Sequence, residues 1–158
     1  MNCKFCATAQ LGFTRNLEFY EIYDQVFFIS KWSEQEYQQP ISNIVIMGMG
    51  EPLLNYDNTI KAIELITGSD GMAMSPSRIT LSTVGITNGI KQLADDNIKF
   101  NLAISLHTAN ENKRNQLIPA NKSNSLADLQ DALKYFHEKT DTRVTFEYLL
   151  LEIGRAHV

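Results

Sequence analysis

The 158-residue chain lacks three features that would narrow its function at once: a set of cysteines, a long apolar run and an excess of basic residues. No stretch approaches the roughly 20 apolar residues that span a bilayer, and the first residues do not form a basic region followed by an apolar one. We therefore expect a cytoplasmic protein with no membrane partner. The net charge of -4 provides no excess of positive charge for nucleic-acid phosphates, so composition alone does not indicate an RNA-binding protein.

The two cysteines, Cys3 and Cys6, form a C-x-x-C arrangement. This spacing occurs in redox dithiols, in halves of zinc sites and in iron–sulfur sites, and it can also have no function. A structural disulfide is the least expected use, because so short a loop would constrain the unfolded chain very little. The spacing alone does not choose among the other uses.

Short apolar runs alternate with amphipathic stretches along the chain. Strands are predicted at residues 43–47, 78–82, 100–105 and 144–151. Several of these runs are almost continuously apolar, as in strands covered on both faces. Helices are predicted between them from apolar residues three and four positions apart, with Asp57 and Ser125 as N-caps and Gly68 as a helix stop. This order predicts an α/β fold of repeated βα units, arranged as a parallel sheet or barrel.

Polar residues and glycines follow three of the predicted strands. They are Gly48, Gly50, Glu51, Ser82, Ser105 and His107. Parallel α/β folds bind ligands at the C-terminal ends of their strands, so we expect these residues to share one rim. The glycines would allow a close approach, the carboxylate of Glu51 suits a cationic amine, and the other side chains add hydrogen-bonding groups. The rim is therefore predicted to hold a polar, zwitterionic small molecule.

Each of these residues also has an ordinary structural explanation. Glycines after a strand commonly form turns, Ser82 and Ser105 could cap the following helices, and His107 could be a structural histidine. A nucleotide-phosphate loop is not indicated, because GMGEP lacks the G-x-G-x-x-G spacing and carries no P-loop lysine. The functional interpretation depends on the convergence of three strand ends.

Several segments together carry a family resemblance. They are CKFCATAQ, GFTRN, MGMGEPLLNY, ITLSTVG, LAISLH and RNQLIPANK. In combination they resemble the radical S-adenosylmethionine RNA methyltransferases, which act on carbon 2 of an adenine in large-subunit ribosomal RNA. The resemblance extends over nearly the whole chain, up to about residue 151.

The resemblance implies a partial (β/α) barrel of the radical SAM type and two cofactors, a 4Fe–4S cluster and S-adenosyl-L-methionine. Family members hold the cluster with three cysteines in a C-x-x-x-C-x-x-C motif. Cys3 and Cys6 match the second and third of these, so the first is expected upstream of Cys3. The positions that match the family's cofactor-binding residues are Gly50 and Glu51 for the methionyl amino end, and Ser82, Ser105, Leu106 and His107 for the ribose and carboxylate.

The chemistry implied by the resemblance begins with an electron from the cluster, which cleaves the cofactor to a 5'-deoxyadenosyl radical. A methyl group carried by a cysteine is then transferred to the adenine. The methyl-carrying cysteine and the catalytic base have no counterpart in this sequence, so no catalytic residue is assigned. The expected partners are ribosomal RNA, with transfer RNA as a second candidate substrate, and an electron donor such as flavodoxin or ferredoxin.

The sequence also leads to expectations about the domain boundaries at the two ends of the chain. Residues 1–151 are expected to form a partial radical SAM core that lacks the first and last barrel strands and is inactive alone. Residues 152–158 are expected to be sequencing-adapter read-through and not native. Two alternatives stay open at this point: a relative that methylates carbon 8 of the same adenine and confers antibiotic resistance, and a zinc-binding or dithiol redox module built on Cys3 and Cys6.

Overall fold

Four parallel strands lie side by side in chain order in the computed structural model, which describes residues 3–149. They are β1 (Ile44–Ile46), β2 (Ile79–Thr83), β3 (Asn101–Ser105) and β4 (Val144–Glu147). Each strand pairs in parallel with the next, and the order never reverses. A sheet that winds in one direction is the arrangement of a (β/α) barrel wall, whereas a doubly wound sheet reverses its order. The predicted α/β fold with parallel strands is confirmed.

Five α-helices accompany these strands within residues 3–149. They are α1 (Phe19–Tyr37), α2 (Tyr56–Thr67), α3 (Thr87–Asp95), α4 (Glu111–Leu117) and α5 (Leu126–Thr140). Helix α2, helix α3 and the pair α4–α5 each connect one strand to the next, as parallel pairing requires. Among the described residues, no helix has both the length and the apolar character needed to cross a bilayer.

The two faces of the sheet differ in chemistry. Ile79, Leu81, Leu102 and Ile104 are fully buried in one core cluster that also contains residues of α2, α3 and α5. The strand register and the alternation of side chains place small or polar residues on the other face. These residues are Thr80, Ser82, Asn101, Ala103, Ser105, Thr145 and Glu147. The expected cover on both faces holds at the centre of the sheet, because Ser82 and Ala103 of the second face are also buried. That face is nevertheless lined mainly by small or polar residues, apart from Val45 of β1.

Local helix signals explain the start of α5 and the end of α2. Ser125 caps α5, and its hydroxyl accepts a hydrogen bond from the Asp128 amide at 3.1 Å as part of a capping box. Gly68 ends α2, as predicted. The prediction of Asp57 as an N-cap is wrong: α2 already begins at Tyr56, because a 3-10 helix (Pro52–Asn55) leads directly into it.

The strand predictions are right in number and position, but some bounds differ. β1 is three residues long, shorter than the predicted 43–47, and its ladder with β2 covers only those residues. β4 ends at Glu147, before the predicted end at residue 151. The proposed boundary after residue 151 and the proposed non-native segment 152–158 lie outside the described residues.

Candidate functional site

The carboxylate of Glu51 is held at the end of β2. Glu51 precedes the 3-10 helix that follows β1, and it is only 8% exposed. Its Oε1 accepts hydrogen bonds from the Thr83 hydroxyl at 2.6 Å and the Leu53 amide at 3.2 Å, and its Oε2 accepts one from the Val84 amide at 3.0 Å. No lysine, arginine or histidine of residues 3–149 forms a salt bridge with it.

Burial raises the pKa of Glu51 above its ordinary value, although the three hydrogen bonds act in the opposite direction. The negative charge of a buried carboxylate that has hydrogen bonds but no cationic partner is only partly compensated. The approach of an ammonium group would supply the missing positive charge. Glu51 therefore has the chemistry of an amine-binding residue.

Gly50 leaves the space beside this carboxylate open. Its φ angle is +111°, in the region that residues with a side chain rarely adopt, and a Cβ built there would meet no atom within 4 Å. The glycine is thus required by its backbone conformation and not by crowding. A Cβ at Gly48 would also meet nothing within 4 Å. Both glycines allow a ligand to approach the backbone before Glu51.

Ser82, Ser105 and Glu147 meet across the ends of β2, β3 and β4. The Ser105 hydroxyl donates to Glu147 Oε2 at 2.9 Å, and the Ser82 hydroxyl lies 3.3 Å from the same oxygen and 3.3 Å from Ser105 Oγ. Neither serine caps a helix, since the N-caps of α3 and α4 are Ile86 and Asn110. The cluster combines two hydroxyls with a carboxylate that can accept further hydrogen bonds.

His107 has an unsatisfied ring nitrogen. Its Nδ1 is buried and has no hydrogen-bond partner among residues 3–149. Burial lowers the pKa of His107, so the neutral imidazole is favoured. Buried polar atoms in folded proteins nearly always have a partner, so this nitrogen is available to a water molecule or to a ligand group. A purely structural histidine would have been expected to bond both ring nitrogens within the fold.

The cysteine segment contacts this rim. Phe5, between the two cysteines, packs edge-on against His107 with ring centroids 4.7 Å apart. The Lys4 amide donates to the Leu117 carbonyl at the end of α4, at 2.9 Å. Cys3 is buried, Cys6 is partly exposed, and both are free thiols. The cysteines thus lie next to the residues that were predicted to bind the cofactor.

The described residues do not complete a metal centre around these thiols. Within residues 3–149, no group of three or more histidine, cysteine, aspartate or glutamate side chains could hold a metal ion. A structural zinc site needs four ligands and an iron–sulfur cluster is held by several thiolates, so two cysteines suffice for neither. A 3-10 helix (Ala7–Leu11) follows Cys6 where a redox dithiol motif would open an α-helix.

The structure brings together all the predicted rim residues and adds others that the sequence analysis missed. Leu106 contributes its carbonyl, which accepts a hydrogen bond from Arg114 at 3.2 Å. Thr83, Val84, Arg114 and Glu147 were not predicted. Glu147 could have been found from its polar side chain inside the apolar run VTFEYLLL, at the same strand parity as Thr145.

Two surface clefts lie elsewhere, around Lys61 and Ile60 of α2, and neither includes a rim residue.

The raised pKa of Glu51 makes a prediction about stability. Its folded pKa lies above the ordinary value of 4.5, so its protonation favours the folded state below that pH, and this contribution is lost as pH rises through the folded pKa. The glutamine of Glu51→Gln is neutral at every pH, so the variant does not lose stability in this way. We expect the melting temperature of the cofactor-free variant to rise relative to the unsubstituted protein as the pH increases above about 4.5.

The exposed Glu138 in α5 offers a matched control. Glu138→Gln makes the same chemical change on the exposed surface, so it measures the effect of the substitution without burial. A melting-temperature difference that varies with pH no more for Glu51→Gln than for Glu138→Gln would contradict the account of a destabilised buried carboxylate.

Comparison with known proteins places these residues in a family context. Residues 1–153 match the Radical SAM superfamily. Two similar proteins, from Flavobacterium psychrophilum and Dictyoglomus turgidum, are each named "Probable dual-specificity RNA methyltransferase RlmN". The first is 53% identical over 150 residues, which are 95% of this chain and 43% of that protein. The second is 48% identical over 152 residues, which are 96% of this chain and 43% of that protein. The chain thus spans less than half the length of these relatives.

A solved structure agrees with both the sequence match and the fold. The crystal structure of a radical SAM methyltransferase from Sphaerobacter thermophilus superposes with a TM-score of 0.90 and 38% identity, over 94% of this chain and 43% of that one. Radical SAM proteins use S-adenosyl-L-methionine with a 4Fe–4S cluster, so the cofactors predicted from the resemblance are confirmed at the level of the family. The chain belongs to the radical SAM superfamily.

Proposed function

We propose that the chain forms part of an RNA methyltransferase that transfers a methyl group to carbon 2 of an adenine in 23S ribosomal RNA, and also acts on transfer RNA. The observation that carries the cofactor part of this proposal is the buried, uncompensated carboxylate of Glu51 beside the open backbone at Gly50. The RNA substrates are supported by the names of the relatives, which describe dual-specificity RNA methyltransferases. Such a substrate would place the protein in the cytoplasm.

The rim matches S-adenosyl-L-methionine group by group. The ammonium of its methionyl end would pair with Glu51, and Gly50 would allow this end to lie against the backbone. The two ribose hydroxyls would donate to Glu147 and exchange hydrogen bonds with Ser82 and Ser105, since an acidic residue near a strand end is a common partner for a ribose hydroxyl. His107 would form a hydrogen bond to the cofactor through Nδ1, and Leu106 would contact the cofactor through its backbone. These assignments extend the predicted cofactor-binding set by Glu147.

Cys3 and Cys6 would supply two of the thiolates of the iron–sulfur cluster. The described residues do not hold the complete cluster, so no reaction step is assigned to it. When bound, the cluster supplies the electron for radical chemistry, and flavodoxin or ferredoxin would be suitable donors to it. No described residue is assigned the role of methyl carrier or catalytic base. The carbon 8 alternative differs only in the position of the new methyl group and is decided by the product.

The role of Glu147 can be tested separately from the rest of the rim. In the natural gene product that carries this sequence, Glu147→Gln should weaken S-adenosyl-L-methionine binding by about tenfold or more, since a hydrogen bond to a charged group contributes about 1.5–3 kcal/mol. The same substitution should scarcely change binding of an analogue that lacks both ribose hydroxyls. Isothermal titration calorimetry measures both constants. Equal losses for the two ligands would show that Glu147 does not contact the ribose.

The reaction itself is tested on RNA from a bacterial host that lacks its own adenine carbon 2 methyltransferase. Expression of the natural gene product should add 2-methyladenosine to 23S ribosomal RNA and to transfer RNA, detected by nucleoside mass spectrometry. Glu51→Gln should abolish the product, because it removes the charge that would hold the cofactor's ammonium, while the exposed control Glu138→Gln should not. A product methylated only at carbon 8 would refute the proposed position, and no methylated adenosine would refute the proposed activity.

A further inference from the structure

Arg114 is a fully buried arginine close to the rim. It lies in α4 within the segment RNQLIPANK and is 0% exposed. It forms no salt bridge with any carboxylate of residues 3–149. A buried charge destabilises the folded state unless it is paired or fully hydrogen-bonded, so burying this arginine contributes less to stability than an apolar residue of similar size would. Its contacts show where its hydrogen-bonding capacity is used.

The guanidinium of Arg114 connects the two strand ends that carry rim residues. Its Nη2 donates to the Val84 carbonyl just after β2, at 2.5 Å. Its Nε donates to the Leu106 carbonyl just after β3, at 3.2 Å, and the Ser105 carbonyl lies 3.5 Å from Nη2. Only a planar group with several donors in a fixed fork can reach these separate carbonyls at once.

Both strand ends held in this way lead directly to rim side chains. The amide of Val84 donates to Glu51, so the position of Val84 affects the position of that carboxylate. Leu106 precedes His107, whose φ angle of +60° is uncommon for a residue with a side chain. Such backbone conformations persist only where the surrounding structure enforces them. The bond from Arg114 to the Leu106 carbonyl helps to enforce this one.

Asn121 fixes the guanidinium from the other side. It is 0% exposed, and its Oδ1 accepts a hydrogen bond from Arg114 Nη1. Its amide nitrogen donates to Glu111 Oε1 at 2.6 Å and to Asn115 Oδ1 at 2.8 Å. These two acceptors orient the asparagine so that its oxygen faces the arginine. The guanidinium is therefore held in one plane before any ligand binds.

We infer that Arg114 is a positioning residue for S-adenosyl-L-methionine: its guanidinium sets the spacing between the Val84 and Leu106 strand ends, and so the spacing between Glu51 and His107. This inference rests on the proposed function, because it assumes that the rim binds this cofactor. It assigns a role to the segment RNQLIPANK, which has no place in the cofactor-binding set described above. Arg114 would act through the rim residues and would not touch the cofactor.

The test compares Arg114→Gln and Arg114→Lys with the unsubstituted natural gene product. Glutamine is shorter and uncharged, and lysine keeps the charge but has no fork of donors. Both variants should raise the Kd and the KM for S-adenosyl-L-methionine by about tenfold or more, because small displacements of binding groups are costly. The kcat at saturating cofactor should change much less. Equilibrium dialysis and steady-state kinetics measure these quantities.

Leu93→Ala controls for a general loss of stability. Leu93 is a fully buried residue of α3 in the main core, and its truncation should lower the melting temperature without moving the rim. The folded protein should then bind the cofactor with unchanged Kd. If the Arg114 variants also bind with unchanged Kd, Arg114 only stabilises the fold and the inference is overturned. If the unsubstituted protein does not bind S-adenosyl-L-methionine, the proposed function fails and the inference fails with it.

A second variant covers the case in which the Arg114 variants do not fold. Asn121→Ala leaves the guanidinium in place but removes the acceptor that orients it. We expect the Kd for S-adenosyl-L-methionine to rise by about threefold or more, in keeping with the loss of one buried hydrogen bond. An unchanged Kd in a folded Asn121→Ala protein would overturn the inference.

Discussion

The parallel, in-order pairing of the four strands is the constraint on which the rest of the structure depends. Because Ser105 pairs with Glu147 and Ser82 lies one step before the end of β2, three strand ends bring their polar side chains to the same edge. Glu51 joins them through Thr83 and Val84. A shift of one residue in any ladder would turn these side chains to the helix-covered face, so register and site are inseparable.

Two buried charges of opposite sign lie near this edge without pairing with each other. Glu51 is held by a hydroxyl and two amides, and Arg114 is held by carbonyl and amide oxygens. Burying either charge without an ion-pair partner destabilises the folded protein, and the proposed cofactor would account for both costs because its binding requires this edge in one geometry. The orphaned Nδ1 of His107 is a third cost of the same kind. Such local violations of good packing chemistry are typical of functional sites.

Much of this arrangement could be predicted from the sequence, because apolar runs followed by glycine, serine or histidine mark strand ends directly. Glu51, Ser82 and Ser105 were found in that way. Arg114 begins the segment RNQLIPANK of the family resemblance, but its role could not be predicted, since in a polar helix a buried arginine looks the same as a surface one. Glu147 was missed although its polar side chain has the same strand parity as Thr145, because the surrounding run VTFEYLLL is mostly apolar. Asp57 was misassigned as a cap because the 3-10 helix before α2 left no sharp helix start.

The most direct test of the central claim is a crystal structure of the natural gene product with S-adenosyl-L-methionine bound. The account predicts the methionyl ammonium within about 2.7–3.2 Å of a Glu51 carboxylate oxygen, with the ribose hydroxyls on Glu147. It also predicts that the Val84 and Leu106 carbonyls remain bonded to Arg114. A cofactor seated elsewhere, for example in the cleft around Lys61 and Leu65, would contradict the account.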